Sequence, residues 1–377
     1  MSDNSSKITE VPVVDFSEWV RGTPAGRHAF AHRLGDICHK VGFFQLVNHE
    51  VDLELQKTLF RMMQKIFQLP QNEKERIAKI HSPWFRGWEA LGTERTNGRV
   101  DLREQVDTWT DCDPVITPCG QINTNPEYKR LYGPSQYFSD DVLPGYKDLT
   151  LDFSSRCKRV ADELLSAMAV ALDLPADYFQ RSFGEEKQRM SLTKYIHYPG
   201  SETGQHGVNA HKDSGILTLL LPYGPGLEIQ LQTGEWIPVQ IVPGAFVINL
   251  GEILQSLTGQ YFVATPHRVV TTRERYACGY FHGPSLDFSL SQIKHLHPRF
   301  AQAVADSEYH RNARFMAKKD EIEAGVGDMA GQKQTSTYGQ QLWDYFNRAY
   351  PDIVQLHTAV ARTENETQPT EPNRARL

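Results

Sequence analysis

Residues 226–250 read GLEIQLQTGEWIPVQIVPGAFVINL. Leu227 to Leu231, Trp236 to Val239 and Ala245 to Leu250 are apolar, partly β-branched runs, each too short for a helix. Gly, Thr and Pro punctuate them, which marks turns between strands. The same grammar extends outward on both sides, through Met190 to Tyr198, Ile216 to Leu221, His267 to Val270 and Tyr276 to Phe281. Many short strands at such spacing predict a mainly β core of jelly-roll type, with the helical parts of the chain flanking it.

Upstream the pattern is mixed. Val11 to Phe16 and Gly42 to Val47 read as strands, whereas Ala25 to Lys40, Val51 to Phe67 and Gln71 to Ile80 carry apolar residues at helical spacing. Pro83 to Pro144 is rich in Gly, Pro, Asn, Thr and Trp, and is expected to form irregular loops. Tyr146 to Leu174 is the longest helical candidate, and Gly339 to Tyr350 is a further one. The organisation expected is a polar tail at 1–10 and an N-terminal α/β region at 11–182 with the irregular segment 83–144. A β core carrying the functional site follows at 183–310, then a flexible excursion at 311–337, a C-terminal helix at 338–357 and a disordered tail at 358–377.

Composition narrows the function classes. The chain has 377 residues and a net charge of −6, with 40 Lys and Arg scattered rather than gathered into a stripe, which argues against a nucleic-acid partner. The five cysteines, Cys38, Cys112, Cys119, Cys157 and Cys278, contain no CxxC pair and suit a reducing compartment. No signal-peptide pattern opens the sequence, and no run approaches the roughly eighteen apolar residues of a membrane span. A cytoplasmic monomer acting on a small molecule, with no membrane partner, is the expectation.

The chemistry concentrates in Asn209-Ala210-His211-Lys212-Asp213-Ser214-Gly215. Residues i and i+2 of a strand share a face, so His211 and Asp213 are expected to point to one place. An HxD pair arises often by chance, and its neighbours give it meaning. His267, on a strand distant in sequence, supplies a second imidazole. Two histidines and one carboxylate form a facial triad that leaves open positions on iron(II). His206 is the competing histidine. Eight residues after His267 stands Arg275, sharing a strand face with Ala277, Gly279 and Phe281. A guanidinium facing an apolar interior calls for a carboxylate, which a ligand can provide.

HKD at 211–213, the run GLEIQLQTGEWIPVQIVPGAFVINLGEILQSLTG, TPHRVV and RERYACGYF together resemble the iron(II)- and 2-oxoglutarate-dependent dioxygenases of the isopenicillin N synthase-like superfamily. VPVVDFS and GFFQLVNHE resemble its N-terminal region. Within it, TPHRVVTTRERYACGYFHGP, Tyr338-Gly339 and Arg348-Ala349-Tyr350 look most like the ethylene-forming enzyme group. The resemblance implies a distorted double-stranded β-helix, with iron held by His211, Asp213 and His267. It also implies that Arg275 holds 2-oxoglutarate, beside Tyr198, Lys194 and Ala277, the last standing where the superfamily usually has serine. Dioxygen is the oxidant, and ascorbate is a reductant such enzymes use. Glu94, Thr96 and Arg348 match residues that the group uses for an amino-acid substrate such as arginine, whereas Ser214 replaces its tyrosine. The implied reaction couples decarboxylation of 2-oxoglutarate to succinate with C–H oxidation, and the resemblance admits ethylene formation. Three other readings stand beside it: an oxidase that dispenses with 2-oxoglutarate, a catalytically inactive jelly-roll module, and a zinc hydrolase.

Overall fold

The stretch 226–250 forms three short strands separated by its Gly- and Pro-bearing turns, and they belong to two different sheets. The computed structural model describes residues 9–96, 98–115, 126–200, 206–231, 233–289, 296–307, 310 and 337–357. Its strands, in chain order, are β1 (Val13–Asp15), β2 (Phe43–Val47), β3 (Gly87–Glu89), β4 (Arg95–Thr96), β5 (Arg99–Val100), β6 (Glu104–Trp109) and β7 (Leu192–Tyr198). They continue as β8 (His206–His211), β9 (Leu217–Tyr223), β10 (Leu227–Gln230), β11 (Trp236–Pro238), β12 (Phe246–Leu250), β13 (His267–Val270) and β14 (Arg275–His282). The large sheet runs β1-β2-β12-β9-β14-β7-β6-β3 and the small one β11-β10-β13-β8, while β4 and β5 form a separate hairpin. Among the described residues, the strands pair antiparallel except for β1 on β2, and an isolated bridge from Ala78 to Trp88 of β3 is also parallel.

Strand alternation divides the core in two. From β2, β7, β12 and β14, the side chains of Phe44, Leu46, Tyr195, Phe246, Ile248, Cys278 and Tyr280 turn outward into a cluster shared with the helices. Their neighbours Phe43, Ile196, Tyr198, Val247 and Ala277 turn inward, against Val208, Leu227, Ile229 and Val269 of the small sheet. Each fully buried aliphatic or aromatic side chain contributes on the order of 1.5–3 kcal/mol. The outer cover is built by helices α1 (Pro24–Lys40), α2 (Leu53–Gln68) and α3 (Tyr146–Ala171). The Asp52 carboxylate accepts from the Leu55 amide and caps the start of α2. Helix α4 (Tyr338–Ala349) starts at Thr337, whose hydroxyl oxygen accepts from the Gln340 N–H, and its apolar side meets Phe85. This is the mainly β core with helical flanks that the strand grammar predicts, in the distorted double-stranded β-helix form that the resemblance implies.

Four local expectations need correction. Segment 83–144 is not wholly irregular, because β6 joins the large sheet beside β7 and β3 pairs with β6. Its sequence, EQVDTW, hides this: Gln105 and Asp107 on one face are as buried as Val106 on the other, so no polar and apolar alternation shows. Helix over 71–80 stops at Glu75, and a short 3-10 turn covers Lys79–His81. His206–His211 is a strand, although its sequence HGVNAH has a single β-branched residue. His211 ends that strand, so Asp213 lies beyond it in a turn rather than two steps along it. The excursion at 311–337, except for its last residue, and the tail at 358–377 lie outside the described residues. No described helix is long and apolar enough to cross a membrane.

Candidate active site

His211 and His267 are direct cross-strand partners of β8 and β13, which is how a barrel brings distant histidines together. Asp213 joins them through its turn. The amide of Glu252 donates to the Asp213 carbonyl at 2.8 Å, and that of Ile253 to Gly215 at 3.2 Å. Gly251 permits this crossing, since a Cβ there would sit 2.1 Å from the Gly215 carbonyl oxygen. The Asp213 Oδ1 atom stands 3.6 Å from Nε2 of each histidine. The ligand atoms of the three residues all lie within 4.8 Å of one another.

Hydrogen bonds from behind orient this group. Nδ1 of His211 faces the Asn209 carbonyl at 2.8 Å, and Nδ1 of His267 faces that of Thr265 at 3.2 Å. Each Nδ1 therefore carries the proton, and each Nε2 presents a lone pair to the shared point. The second carboxylate oxygen of Asp213 accepts from the Thr218 hydroxyl and, at 2.7 Å, from Asn249 Nδ2. Sequence reasoning passed over Asn249, although a lone amide inside the apolar run of β12 was a visible signal. Burial opposes charge on His211, but Asp213 outweighs it and raises that pKa. Burial, then His211, lowers His267 to about 4. Burial works to raise Asp213, yet His267 and His211 hold it well below the usual carboxylate range. His206 pairs with Val270 at the opposite end of β8 from His211.

Arg275 is 1% exposed and stands opposite Tyr198 in the β14–β7 register. Its guanidinium lies over the Tyr198 ring at 4.8 Å, and Nε donates to the Gly224 carbonyl at 3.3 Å. Gly224 reaches this position with φ of 128°, where a side chain would be strained. Both terminal nitrogens of Arg275 are buried without a hydrogen-bond partner among the described residues. Burial pulls its pKa down and Tyr198 partly offsets this. Ala277 follows on the same face, opposite Ile196.

A second polar cluster occupies the end of the inner face near β3 and β6. Lys194 stands here, four residues from Tyr198 along β7, with Nζ 3.2 Å from Gln105 Oε1, 3.5 Å from Asp107 and 3.7 Å from Glu94. Its ammonium is thus held among side chains of the protein, beside Gln105, Asp107 and Glu94. Glu94, 6% exposed, accepts from Arg103 at 2.5 Å, Gln105 at 2.6 Å and the Tyr345 hydroxyl at 2.9 Å. Burial would raise its pKa, but Arg103 and Lys194 hold it well below the usual range. Lys79 binds Glu89 at 2.6 Å and Asp107 at 2.9 Å, and Arg103 reaches Asp101 at 3.4 Å. Four buried carboxylates, Glu89, Glu94, Asp101 and Asp107, therefore face three cations, the buried Lys79 and Lys194 and the half-buried Arg103.

The other expected substrate residues are placed differently. The Thr96 hydroxyl donates to Asp101 at 2.6 Å, and Arg348 and Ser214 are exposed. Tyr345, one turn before Arg348 on α4, is the helix residue that reaches Glu94. Arg103 was also passed over. Its guanidinium is close enough to His211 to oppose that ring's protonation, so the cluster borders the triad.

Residues 11–140 match the family described as the non-haem dioxygenase in morphine synthesis N-terminal region, and residues 187–284 match the 2OG-Fe(II) oxygenase superfamily. A 2-oxoglutarate-dependent dioxygenase of Gibberella zeae is 31% identical over 372 residues, covering 93% of this chain and 94% of that protein. A homoarginine-6-hydroxylase of Oryza sativa subsp. japonica is 30% identical over 276 residues, or 69% of this chain and 79% of that one. The crystal structure of a full-length Neurospora crassa protein in complex with alpha-KG and thymine shares the fold, with a TM-score of 0.64 at 22% identity. That match covers 80% of this chain and 98% of the other.

Proposed function

The chain belongs to the 2OG-Fe(II) oxygenase superfamily, and on that premise we propose that it oxidises a C–H bond of a small cationic amino acid, arginine or a homologue. Oxidative decarboxylation of 2-oxoglutarate to succinate and carbon dioxide drives the reaction. One oxygen atom of dioxygen enters succinate and the other enters the product. His211, Asp213 and His267 would hold the iron, and Arg275 with Tyr198 would hold the distal carboxylate of 2-oxoglutarate.

The observation that carries the cosubstrate half is the pair of terminal nitrogens on Arg275 that have no hydrogen-bond partner among the described residues. A buried guanidinium in this state is unfavourable until a carboxylate reaches it, and its planar fork suits a bidentate one. Bound iron(II) supplies the redox centre at which dioxygen and 2-oxoglutarate react. The protein's residues do the rest. Asn209 and Thr265 fix which nitrogen each histidine offers, Thr218 and Asn249 hold one oxygen of Asp213 so that the other faces inward, and the apolar inner face excludes water.

The substrate half is supported by the surplus carboxylate of the buried cluster. One more cation would complete its charge balance. Glu94 Oε1 has the Tyr345 hydroxyl as its one hydrogen-bond partner among the described residues, and so retains capacity for a donor. The relative named as a homoarginine-6-hydroxylase agrees with a cationic amino acid. The motifs shared with the ethylene-forming group extend the proposal to some release of ethylene from 2-oxoglutarate. The test is succinate formation by iron-loaded protein across cationic, neutral and acidic amino acids, with headspace analysis for ethylene. Stimulation by arginine, homoarginine or lysine, with a product one oxygen heavier, is expected. Glu94→Gln should reduce the stimulated rate more than substrate-free decay of 2-oxoglutarate. Stimulation only by neutral or acidic compounds would overturn the substrate half and leave the cosubstrate half standing.

A further inference from the structure

Among the described residues, strand β8, which ends at His211, is the outermost strand of the small sheet and has β13 on one side only. An edge strand leaves a row of backbone groups without a ladder partner. Here residues 99–102 take the place of the absent strand. The Leu102 amide donates to the His206 carbonyl at 3.4 Å, and the Asn209 amide donates to Asp101 Oδ1 at 3.2 Å. The side chain of Asn209 reinforces this, with Nδ2 donating to the same oxygen at 3.0 Å and lying 3.4 Å from the Val100 carbonyl. The other oxygen of Asp101 accepts from Thr96 at 2.6 Å and faces Arg103 at 3.4 Å. Asp101 is 0% exposed, so protein groups and not bulk water compensate its charge.

Asn209 is also the residue whose carbonyl meets His211 Nδ1 at 2.8 Å. We propose that Asp101 is a positioning residue for His211: by clamping both the amide and the side chain of Asn209, it sets the carbonyl that orients the imidazole and selects its tautomer. Through Thr96 and Arg103 the same carboxylate ties the iron-side strand to the loop that carries Glu94. The loop and the ligand histidine are then held as one unit, and a change at the loop reaches His211 without touching it. This inference rests on the reading of His211 as an iron ligand.

Partners that orient a ligating histidine typically change metal affinity by roughly 10- to 100-fold when lost. Anaerobic calorimetric titration of iron(II) into apo protein, with thermal unfolding of each apo sample, provides the test. Asp101→Ala is expected to bind iron about tenfold or more weakly. Asp101→Asn, which keeps an acceptor for Asn209, should recover most of the affinity. Asn209→Ala removes the side-chain hydrogen bond to Asp101 and the longer ones to the Val100 and Arg99 carbonyls but keeps the backbone amide bond, and is expected to bind iron several-fold more weakly while unfolding within a few degrees of wild type. If Asp101→Ala does not fold, Asn209→Ala decides the matter. Wild-type iron affinity in folded Asp101→Ala, or in Asn209→Ala in that event, would overturn the positioning role even if stability fell. Wild-type protein that binds no iron would instead overturn the reading of the triad.

Discussion

The buried Arg275 and the half-buried Arg103 are guanidinium groups on either side of strand β7, and they are handled in opposite ways. Arg103 has Glu94 at 2.5 Å and Asp101 at 3.4 Å. Arg275 has an aromatic face, one carbonyl and two terminal nitrogens with no partner among the described residues. Folding alone compensates the first charge and leaves the second open. The difference separates scaffold from docking site: the Glu94 cluster is built with its partners in place, whereas the Arg275 pocket and the triad acquire theirs when ligands arrive.

The largest effect is expected where the arrangement is open by design. His211→Ala, Asp213→Ala and His267→Ala should each lose iron binding and succinate formation while the apo protein remains folded, as circular dichroism and a coupled succinate assay would show. Turnover at the wild-type rate in any of them would mean that the triad does not hold the metal. The comparison between the arginines is sharpened by stability. Arg103→Met strips Asp101 of its cation and leaves Glu94 with the more distant Lys194, a loss of about 3–5 kcal/mol readable as a lower denaturant midpoint. Arg275→Met removes a buried charge that, among the described residues, has no carboxylate partner, so the apo midpoint should stay or rise. Equal losses in the two variants would erase the distinction between them.

A buried base can also avoid the problem by giving up its charge. His282, on the same strand as Arg275, has burial first and then Arg189 and Lys158 acting against its protonation, with Asp162 acting for it, and its pKa is lowered to about 4. The ordinary value for an unfolded histidine is about 6.5. In the window between these values the unfolded chain binds the proton and the folded one does not, so stability rises with pH there. This contribution is full above the unfolded pKa and is lost as pH falls toward 4. His282→Gln should flatten the slope of unfolding free energy against pH in that window by on the order of 1 kcal/mol per unit. An unchanged slope would show that the buried ring is not kept neutral.

What the sequence made legible was whatever sat in an unusual local context. Short punctuated runs declared the β core, and an arginine sharing a strand face with Ala277 and Gly279 declared a buried charge. The meeting of His211, Asp213 and His267 followed from the same logic, although Asp213 arrives through a turn pinned by Glu252 and Gly251 and not by strand periodicity. Strand β6 stayed hidden because Gln105 and Asp107 are buried polar residues, held by Glu94 and Lys79 from outside the strand. The partners of Glu94 were equally illegible, since Arg103 lies just before β6, Gln105 on β6, Lys194 on β7 and Tyr345 on α4. On α4, Tyr345 and Arg348 are three residues apart and so lie on neighbouring parts of the helix surface. Periodicity could not say which of them reaches Glu94, and the structure assigns that contact to Tyr345.

Arg275 as a carboxylate anchor, completed by 2-oxoglutarate beside a metal held by the triad, is the centre of this account. Its most direct test is an anaerobic titration of the iron-loaded protein with 2-oxoglutarate, following the visible charge-transfer absorption of the chelate in wild type, Arg275→Met and Arg275→Lys. Saturable absorption is expected in wild type. In Arg275→Met the half-saturation should rise by roughly tenfold or more, since a buried charge-assisted pair is worth about 2 kcal/mol, and Arg275→Lys should recover little because a point charge does not replace a planar fork. Superimposable titrations in all three proteins, or no absorption in wild type at saturating iron and 2-oxoglutarate, would contradict it.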